Sequence, residues 1–197
     1  MERRSSERLA AFWRTVADVG LDRPRALDAL ERSFASGTLP ERVDGFHAGR
    51  LVASTVGYGL DVVIESLSRV WMPWRGKTFD ASAGDGWNVF DPRGRWVARA
   101  LWPRYEIRGR AEASRYDRAF RFLTSVGESA LVPGPTVVRI DYDLDENPSW
   151  PIRRVLDEVV EIDADLLLGQ ALLDFRGAWR RAAWFCLERP AGPDDRR

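Results

Sequence analysis

Three side chains that could do chemistry occur once each in this sequence. His47 is its only histidine, Lys77 its only lysine and Cys186 its only cysteine. An imidazole titrates near neutral pH and can carry a proton, while a lysine ammonium is a compact charge that suits a different ligand from arginine's planar fork. A single histidine excludes a multi-histidine metal site, and no G-x-G-x-x-G follows a strand. We therefore expect neither a metal nor a cofactor.

Lys77 lies in the segment with the densest chemistry, residues 71–79, together with Trp74, Gly76 and Phe79. Rings, an ammonium and a glycine at a helix-to-strand corner predict a pocket mouth at which a few polar groups orient a largely apolar ligand. The alternative is a lid that packs on the end of a barrel. A lone lysine among many arginines is also explained by the codon bias of a GC-rich genome.

Asp141, Asp143 and Asp145 alternate like the opening of an EF-hand loop. The match fails where that loop requires a glycine and a bidentate glutamate, because this chain has Glu146 and Ile152 there. A salt-bridged rim is the better prediction. Its basic partners would be the arginines nearby in sequence: Arg139, Arg153 and Arg154.

His47 and Cys186 have structural interpretations as well. The chain contains no G-x-S-x-G nucleophile motif, so we interpret His47 as a strand histidine satisfied by a neighbour, with a proton carrier as the alternative. Cys186 alternates with Trp184 in an apolar run. We interpret it as a small core side chain, since a reactive thiol needs an exposed, electropositive setting.

The elements that must position these side chains centre on a C-terminal hairpin, with strands at 166–175 and 178–187 and a turn at Arg176-Gly177. If Phe175 faces Ala178, then Gly169 lies opposite Trp184. The same register places Ala171 opposite Ala182 and Leu167 opposite Cys186. Small residues beneath a large indole predict strands that curve around a cavity. We expect Trp184, Gly169, Ala171 and Ala182 to line it, with Trp74, Lys77 and His47 towards one end.

The rest of the chain predicts a mainly β (α+β) protein. Helices are expected at 5–19, from Asp22 to Gly37, and at 58–71, with a helical turn between 147 and 156. Residues 118–125 fit a strand, although 118–126 also fits a helix. We expect an N-terminal helical pair at 1–37, an antiparallel calycin-like β-barrel domain with one inserted helix at 38–190, and a disordered tail at 191–197. Further strands are expected at 45–53, 87–90, 95–102, 105–113, 136–142 and 159–162.

The amino-acid composition limits the kinds of partner that we expect this protein to bind. Thirty basic and thirty acidic residues give a formal net charge of zero, whereas nucleic-acid binding proteins gather surplus positive charge on one face. No apolar run approaches the roughly 18 residues of a membrane span. No apolar signal segment is apparent at the start. These features predict a cytoplasmic protein without nucleic acid or a membrane span.

Two motifs resemble a known family. Gly45-Phe46-His47-Ala48-Gly49, followed by a helical stretch and then Trp74-Arg75-Gly76-Lys77-Thr78-Phe79, is similar to the bacterial GxWxG-domain proteins of unknown function. In that family a G-x-W-x-G strand precedes a W-x-G-K-x-F segment, and His47 stands here for the central tryptophan. The C-terminal hairpin resembles the closing strands of a lipocalin-type (calycin) barrel. The resemblance, over about residues 39–188, implies an architecture more than an activity.

We therefore predict a protein that binds a small apolar or amphipathic ligand in a barrel cavity. If the ligand is acidic, its charged group would pair with Lys77. The predicted ligand-binding residues are Trp74, Lys77, His47, Gly169 and Trp184. One alternative is an enzyme in which His47 or Asp143 transfers protons. The other is a homodimer formed through exposed tryptophans, with no ligand.

Overall fold

The chain forms a closed barrel of eight antiparallel strands, each bonded to its neighbours in sequence, with β1 closing on β8. The computed structural model describes residues 2–55, 74–107 and 116–190. The predicted antiparallel barrel is confirmed. The strands are β1 (Gly45–Ser54), β2 (Trp74–Asp80), β3 (Asp85–Phe90), β4 (Asp117–Glu128), β5 (Thr136–Asp141), β6 (Val155–Asp163), β7 (Leu166–Phe175) and β8 (Ala178–Glu188).

Two helices precede the barrel, as predicted: α1 (Glu2–Asp18) and α2 (Arg23–Ala35). Asp22 caps α2 by accepting a hydrogen bond from the Arg25 backbone N–H. No described helix is long and apolar enough to cross a membrane. The helix expected at 58–71 and the tail at 191–197 lie outside the described residues.

The strand predicted at 95–102 is wrong, because Arg95–Leu101 is a helix, α3. Asp91 caps the preceding 3-10 turn, Pro92–Gly94, by accepting a hydrogen bond from the Arg93 N–H, and α3 follows that turn directly. The segment is rich in alanine, arginine and leucine, which favour helix. Of the strand expected at 105–113, residues 105–107 are irregular and the rest is not described.

Two other segments are settled by the structure. Residues 117–128 form strand β4 and not the alternative helix. The expected helical turn reduces to a 3-10 turn at Ile152–Arg154. Strand β6 then begins at Val155, four residues before the predicted start of the strand at 159.

The predicted register of the hairpin is correct at its turn and wrong beyond it. Phe175 does face Ala178, but a bulge next to Ala171 shifts the pairing by one residue. Gly169 therefore faces Phe185, Ala171 faces Ala183 and Leu167 faces Leu187. Because a one-residue slip moves side chains to the other face of a strand, Trp184 and Gly169 lie on opposite sides of the barrel wall.

Two hydrophobic clusters cover the two sides of that wall. The inner cluster lies within the barrel, and α3 and the 3-10 turn at Ile152–Arg154 contribute Ala98 and Ile152 to it. The outer cluster joins the strands to the N-terminal helices, where Phe34 of α2 packs edge-on against Trp184 with ring centres 5.5 Å apart. Helices α1 and α2 thus cover the outer wall, while α3 packs at one end of the barrel.

Candidate functional site

Four polar side chains meet inside the barrel, and we call them the inner polar cluster: Lys77, Asn88, Tyr142 and Asp157. Lys77 Nζ donates to Asp157 Oδ2 at 2.7 Å, to Asn88 Oδ1 at 2.9 Å and to the Tyr142 hydroxyl. Tyr142 in turn donates to Asp157 Oδ2 at 2.9 Å and accepts from Asn88 Nδ2 at 2.9 Å. All three lysine protons are therefore bonded within the cluster.

Aromatic rings enclose this cluster. Lys77 Nζ lies between 5.1 and 5.6 Å from the ring centres of Trp74, Phe122, Tyr142 and Phe185. Only 2% of the Lys77 side chain is exposed. Burial lowers the pKa of Lys77, opposed by the charge of Asp157. Burial also raises the pKa of Tyr142 well above its usual value, so Tyr142 remains a neutral phenol.

Trp74 links the cluster to the barrel wall. Its indole N–H donates to Asn88 Oδ1 at 3.1 Å, and its ring lies against Gly49 of β1, where a Cβ would overlap it. The ring also packs edge-on against Phe185, with centres 5.8 Å apart. The glycine of β1 therefore makes room for the ring that contacts the cluster.

His47 lies on the same inner face, because it pairs with Lys77 across β1 and β2. The ring is buried, its Nδ1 is 3.4 Å from the Gly45 carbonyl oxygen, and its centre is 5.5 Å from that of Phe79. Burial lowers the pKa of His47, which favours the neutral imidazole. This matches the expectation of a strand histidine satisfied by a neighbour.

Gly169 and Trp184, the two hairpin residues predicted to bind the ligand, lie on opposite sides of the barrel wall. Gly169 is buried on the inner face, but a Cβ there would overlap the Phe185 ring, so that ring occupies the space expected above it. Trp184 is fully buried on the outer face against Phe34. Trp74, Lys77, His47 and Gly169 thus share the interior, and Trp184 does not.

Asp143 does not join them. Arg153 binds both Asp143 Oδ1, at 2.7 Å, and Asp145 Oδ1, at 3.0 Å, in exposed ion pairs. The predicted salt-bridged rim is confirmed at these residues. Cys186 is buried in the outer cluster, and burial raises the pKa of its thiol to about 12, as expected of a core side chain.

An open pocket of about 410 Å³ lies at the end of the barrel where β3 begins, opposite the end at which α3 follows β3. Phe79 borders this pocket and also contacts His47 and Phe122, whose ring centres lie 5.5 and 5.3 Å from its own. Phe79 is therefore the side chain between the pocket and the inner polar cluster. The lining residues are Arg42, Asp44, Gly45, Thr78, Phe79, Asp80, Ser82, Asp85, Gly86, Trp87 and Arg118.

Three members of the cluster escaped the sequence analysis: Asn88, Tyr142 and Asp157. A signal existed, because alternation along each strand identifies the inner face. Asp157 alternates with Val155 and Val159, both in contact with the inner cluster. The strand predicted at 159–162 began too late to include Asp157, so its place on an apolar face went unseen.

Comparisons with known proteins bear on the fold alone. No protein-family model matches the chain, and no curated protein matches it. A crystal structure of a protein from Thermomonospora curvata is similar, with a TM-score of 0.50 and 17% sequence identity. The match covers 92% of this chain and 99% of that one. At this identity the likeness supports the barrel fold and says nothing about a ligand.

Proposed function

We propose that this protein binds a small amphipathic molecule inside the barrel, with a neutral oxygen of the ligand bonded to the inner polar cluster. The observation that carries the proposal is the position of the only lysine: Lys77 is buried among aromatic rings with its three protons on Asn88, Tyr142 and Asp157. Such a setting offers hydrogen bonds for a polar group and apolar surface for the rest of the ligand.

Stability alone is a weak reason for such a cluster. Burying two opposite charges costs several kcal/mol of desolvation per ion, and well-packed apolar side chains of similar volume often do as well or better. Phe79, Phe122 and Phe185 already supply an apolar interior. A buried ion pair in that setting favours a role in recognition over a role in packing.

The charge balance favours a neutral ligand group. Asp157 already neutralises Lys77 at 2.7 Å, so a carboxylate ligand would place a second buried negative charge beside Asp157. An alcohol or carbonyl oxygen could instead replace Asn88 or Tyr142 as the acceptor of one Lys77 proton without that repulsion. We therefore narrow the predicted ligand from one that includes acids to one with a hydroxyl or carbonyl group.

The pocket at the end of the barrel is the proposed entrance. Its volume of about 410 Å³ falls within the roughly 300–1,000 Å³ of small-molecule sites. Ion pairs lie at this end, Arg42 with Asp44 and Arg121 with Asp85, while Phe79 leads inwards. Rotation of the Phe79 ring would connect the pocket to His47 and the inner polar cluster.

We also propose that the chain is related to the GxWxG-domain proteins. Its two motifs fall on β1 and β2, which bring His47 and Lys77 side by side in the barrel. The residues that carry the resemblance are therefore the ones that border the proposed site.

Three compounds with the same chain and different headgroups test this function: octanol, octanal and octanoate. We expect octanol and octanal to change the tryptophan fluorescence saturably, because Trp74 is bonded to Asn88. Octanoate should bind more weakly, since it must compete with Asp157. The Trp74→Phe variant should show a reduced fluorescence change, because it lacks the indole that is bonded to the cluster.

The proposed function would be contradicted if none of the three compounds, and no longer alcohol, gave a binding signal in calorimetry or in fluorescence. Tighter binding of octanoate than of octanol would contradict the assignment of a neutral group. A Phe79→Leu variant should bind octanol faster than the wild type, because a smaller side chain then separates the pocket from the cluster.

A further inference from the structure

We propose that Lys77 forms a reversible imine with the carbonyl carbon of an aldehyde or ketone bound in the barrel. This inference rests on the proposed function and names the class of ligand. It is carried by the placement of the chain's one lysine against a carboxylate, a phenol and an amide inside a ring-lined interior. Every other basic side chain but His47 is an arginine, which does not form imines.

The cluster contains what the nucleophile needs. An ammonium must lose a proton before it can attack, and Asp157 Oδ2 lies 2.7 Å from Lys77 Nζ to receive it. Transfer of that proton gives a neutral amine beside a neutral acid, and burial lowers the free energy that this step costs because it disfavours the two charges of the resting pair. Burial also lowers the pKa of Lys77, in the direction that increases the free amine.

The step balances without any other reagent. The Lys77 nitrogen forms a bond to the carbonyl carbon and the C=O π bond opens. The oxygen takes a proton from Asp157 while the nitrogen returns one to Asp157, which gives a neutral carbinolamine. Asp157 then returns its proton to that hydroxyl, which leaves as water. The product is a protonated imine paired with the Asp157 carboxylate, and addition of water reverses each step.

Tyr142 and Asn88 hold the reacting groups. The Tyr142 hydroxyl donates to Asp157 Oδ2 at 2.9 Å, and Asn88 Oδ1 accepts from both Lys77 and Trp74. These bonds fix the amine against the carboxylate before a ligand arrives. The two residues are therefore positioning residues, and the carbonyl oxygen would replace one of the three partners of Lys77.

Reductive trapping tests the inference. The folded protein is incubated at neutral pH with octanal and cyanoborohydride, and the product is read by intact mass and peptide mapping. We expect one addition at Lys77, equal to the mass of octanal less one oxygen. The chain's α-amine is the internal reference, because it is the only other amine, and Lys77 should react faster than it.

Three controls sharpen the result. Octanol should slow the labelling of Lys77 and leave the α-amine unaffected. Lys77→Arg should lose the fast addition, while the α-amine still reacts at its own rate. Asp157→Asn should slow the Lys77 reaction by about 10²-fold or more, the scale of acid–base assistance by one side chain.

Labelling of the α-amine alone, or labelling of Lys77 only in denaturant, would overturn the imine proposal. If octanol still bound in that case, the proposed function would stand without it. If neither octanol nor octanal bound the folded protein, both proposals would fail together. Labelling of Lys77 that octanol does not slow would also count against a reaction inside the site.

Discussion

Two neighbouring carboxylates on β6, Asp157 and Glu158, lie on opposite sides of the barrel wall and have different kinds of partner. Glu158 accepts from Ser129 Oγ at 2.6 Å, from the Ala130 backbone N–H at 2.7 Å and from Gln170 Nε2 at 2.8 Å. We call Glu158, Gln170 and Ser129 the outer polar cluster. Asp157 accepts only from side chains, Lys77 and Tyr142, among the hydrogen bonds of the described residues.

The outer polar cluster has an evident structural role. Gln170 Oε1 accepts from Arg181, and Arg181 binds Glu31 of α2 at 2.7 Å. A continuous chain of bonds thus ties the loop at Ser129 and the helix α2 to the barrel. The cluster therefore bonds the loop backbone at Ala130 to the barrel.

The inner polar cluster holds less of the backbone in place. Lys77, Asn88 and Asp157 lie on strands of the barrel, and Tyr142 directly follows β5. Among the described residues the bonds within this cluster join side chains, apart from one long bond of 3.5 Å from Asn88 Nδ2 to the Phe120 carbonyl oxygen. The comparison teaches that burial and full hydrogen bonding do not by themselves identify a site. The two clusters differ in how much backbone, and how many separate elements, their hydrogen bonds hold in place.

The largest effect is expected from Lys77→Met. It leaves the buried carboxylate of Asp157 without its cation, and breaking such a pair costs about 3–5 kcal/mol. Urea unfolding measures the loss. The double variant Lys77→Met/Asp157→Asn, with neither charge, should regain most of the stability. A double variant as unstable as the single one would mean that the inner polar cluster is required for folding.

Gly169→Ala tests the packing of the inner face at the residue that precedes Gln170 of the outer polar cluster. A Cβ there overlaps the Phe185 ring, and overpacking typically costs about 1–3 kcal/mol. Gly20→Ala is the matched control, since a Cβ at Gly20 has nothing within 4 Å. Equal thermal stability of the two variants would show that the interior around Phe185 has spare room.

Gln170→Leu should weaken the outer polar cluster by about 1–3 kcal/mol, because it removes the bonds of Gln170 to both Glu158 and Arg181. Glu158 keeps its bonds to Ser129 and Ala130, which limits the loss. Octanol binding and the labelling of Lys77 should not change. Lost binding in a folded Gln170→Leu protein would remove the distinction between the two clusters.

The smallest effect concerns pH. Burial lowers the pKa of His47 below its usual 6.5 in the folded protein, so between those two values the unfolded chain binds more protons. Stability is therefore full above about pH 6.5 and falls as the pH decreases towards the folded pKa. His47→Phe should reduce this slope between neutral and mildly acid pH, measured by urea unfolding. An unchanged slope would show that another group causes it.

Much of the fold could be predicted from the sequence, and the reasons are local. Arg176-Gly177 is a hairpin turn in which both residues adopt positive φ, and Asp22 and Pro24 mark the start of α2. These signals depend on a few adjacent residues. The barrel followed from strands that alternate with turns.

The site was less predictable because it depends on register. The bulge beside Ala171 moves Trp184 to the outer face and brings Phe185 over Gly169, and no local residue signals it. Lys77 stood out by being the only lysine, whereas its partner Asp157 is one of thirty acidic residues. The contact of these two residues from β2 and β6 is set by barrel closure and not by spacing in the sequence.

The affinity of octanol for the wild type and for Lys77→Met/Asp157→Asn, measured by calorimetry, tests the central claim most directly. Both proteins keep an apolar interior, and only the wild type offers the charged pair of Lys77 and Asp157. The account predicts binding to the wild type and at least about tenfold weaker binding to the double variant, since one hydrogen bond to a charged group contributes about 1.5–3 kcal/mol. Equal affinities in two folded proteins would contradict it.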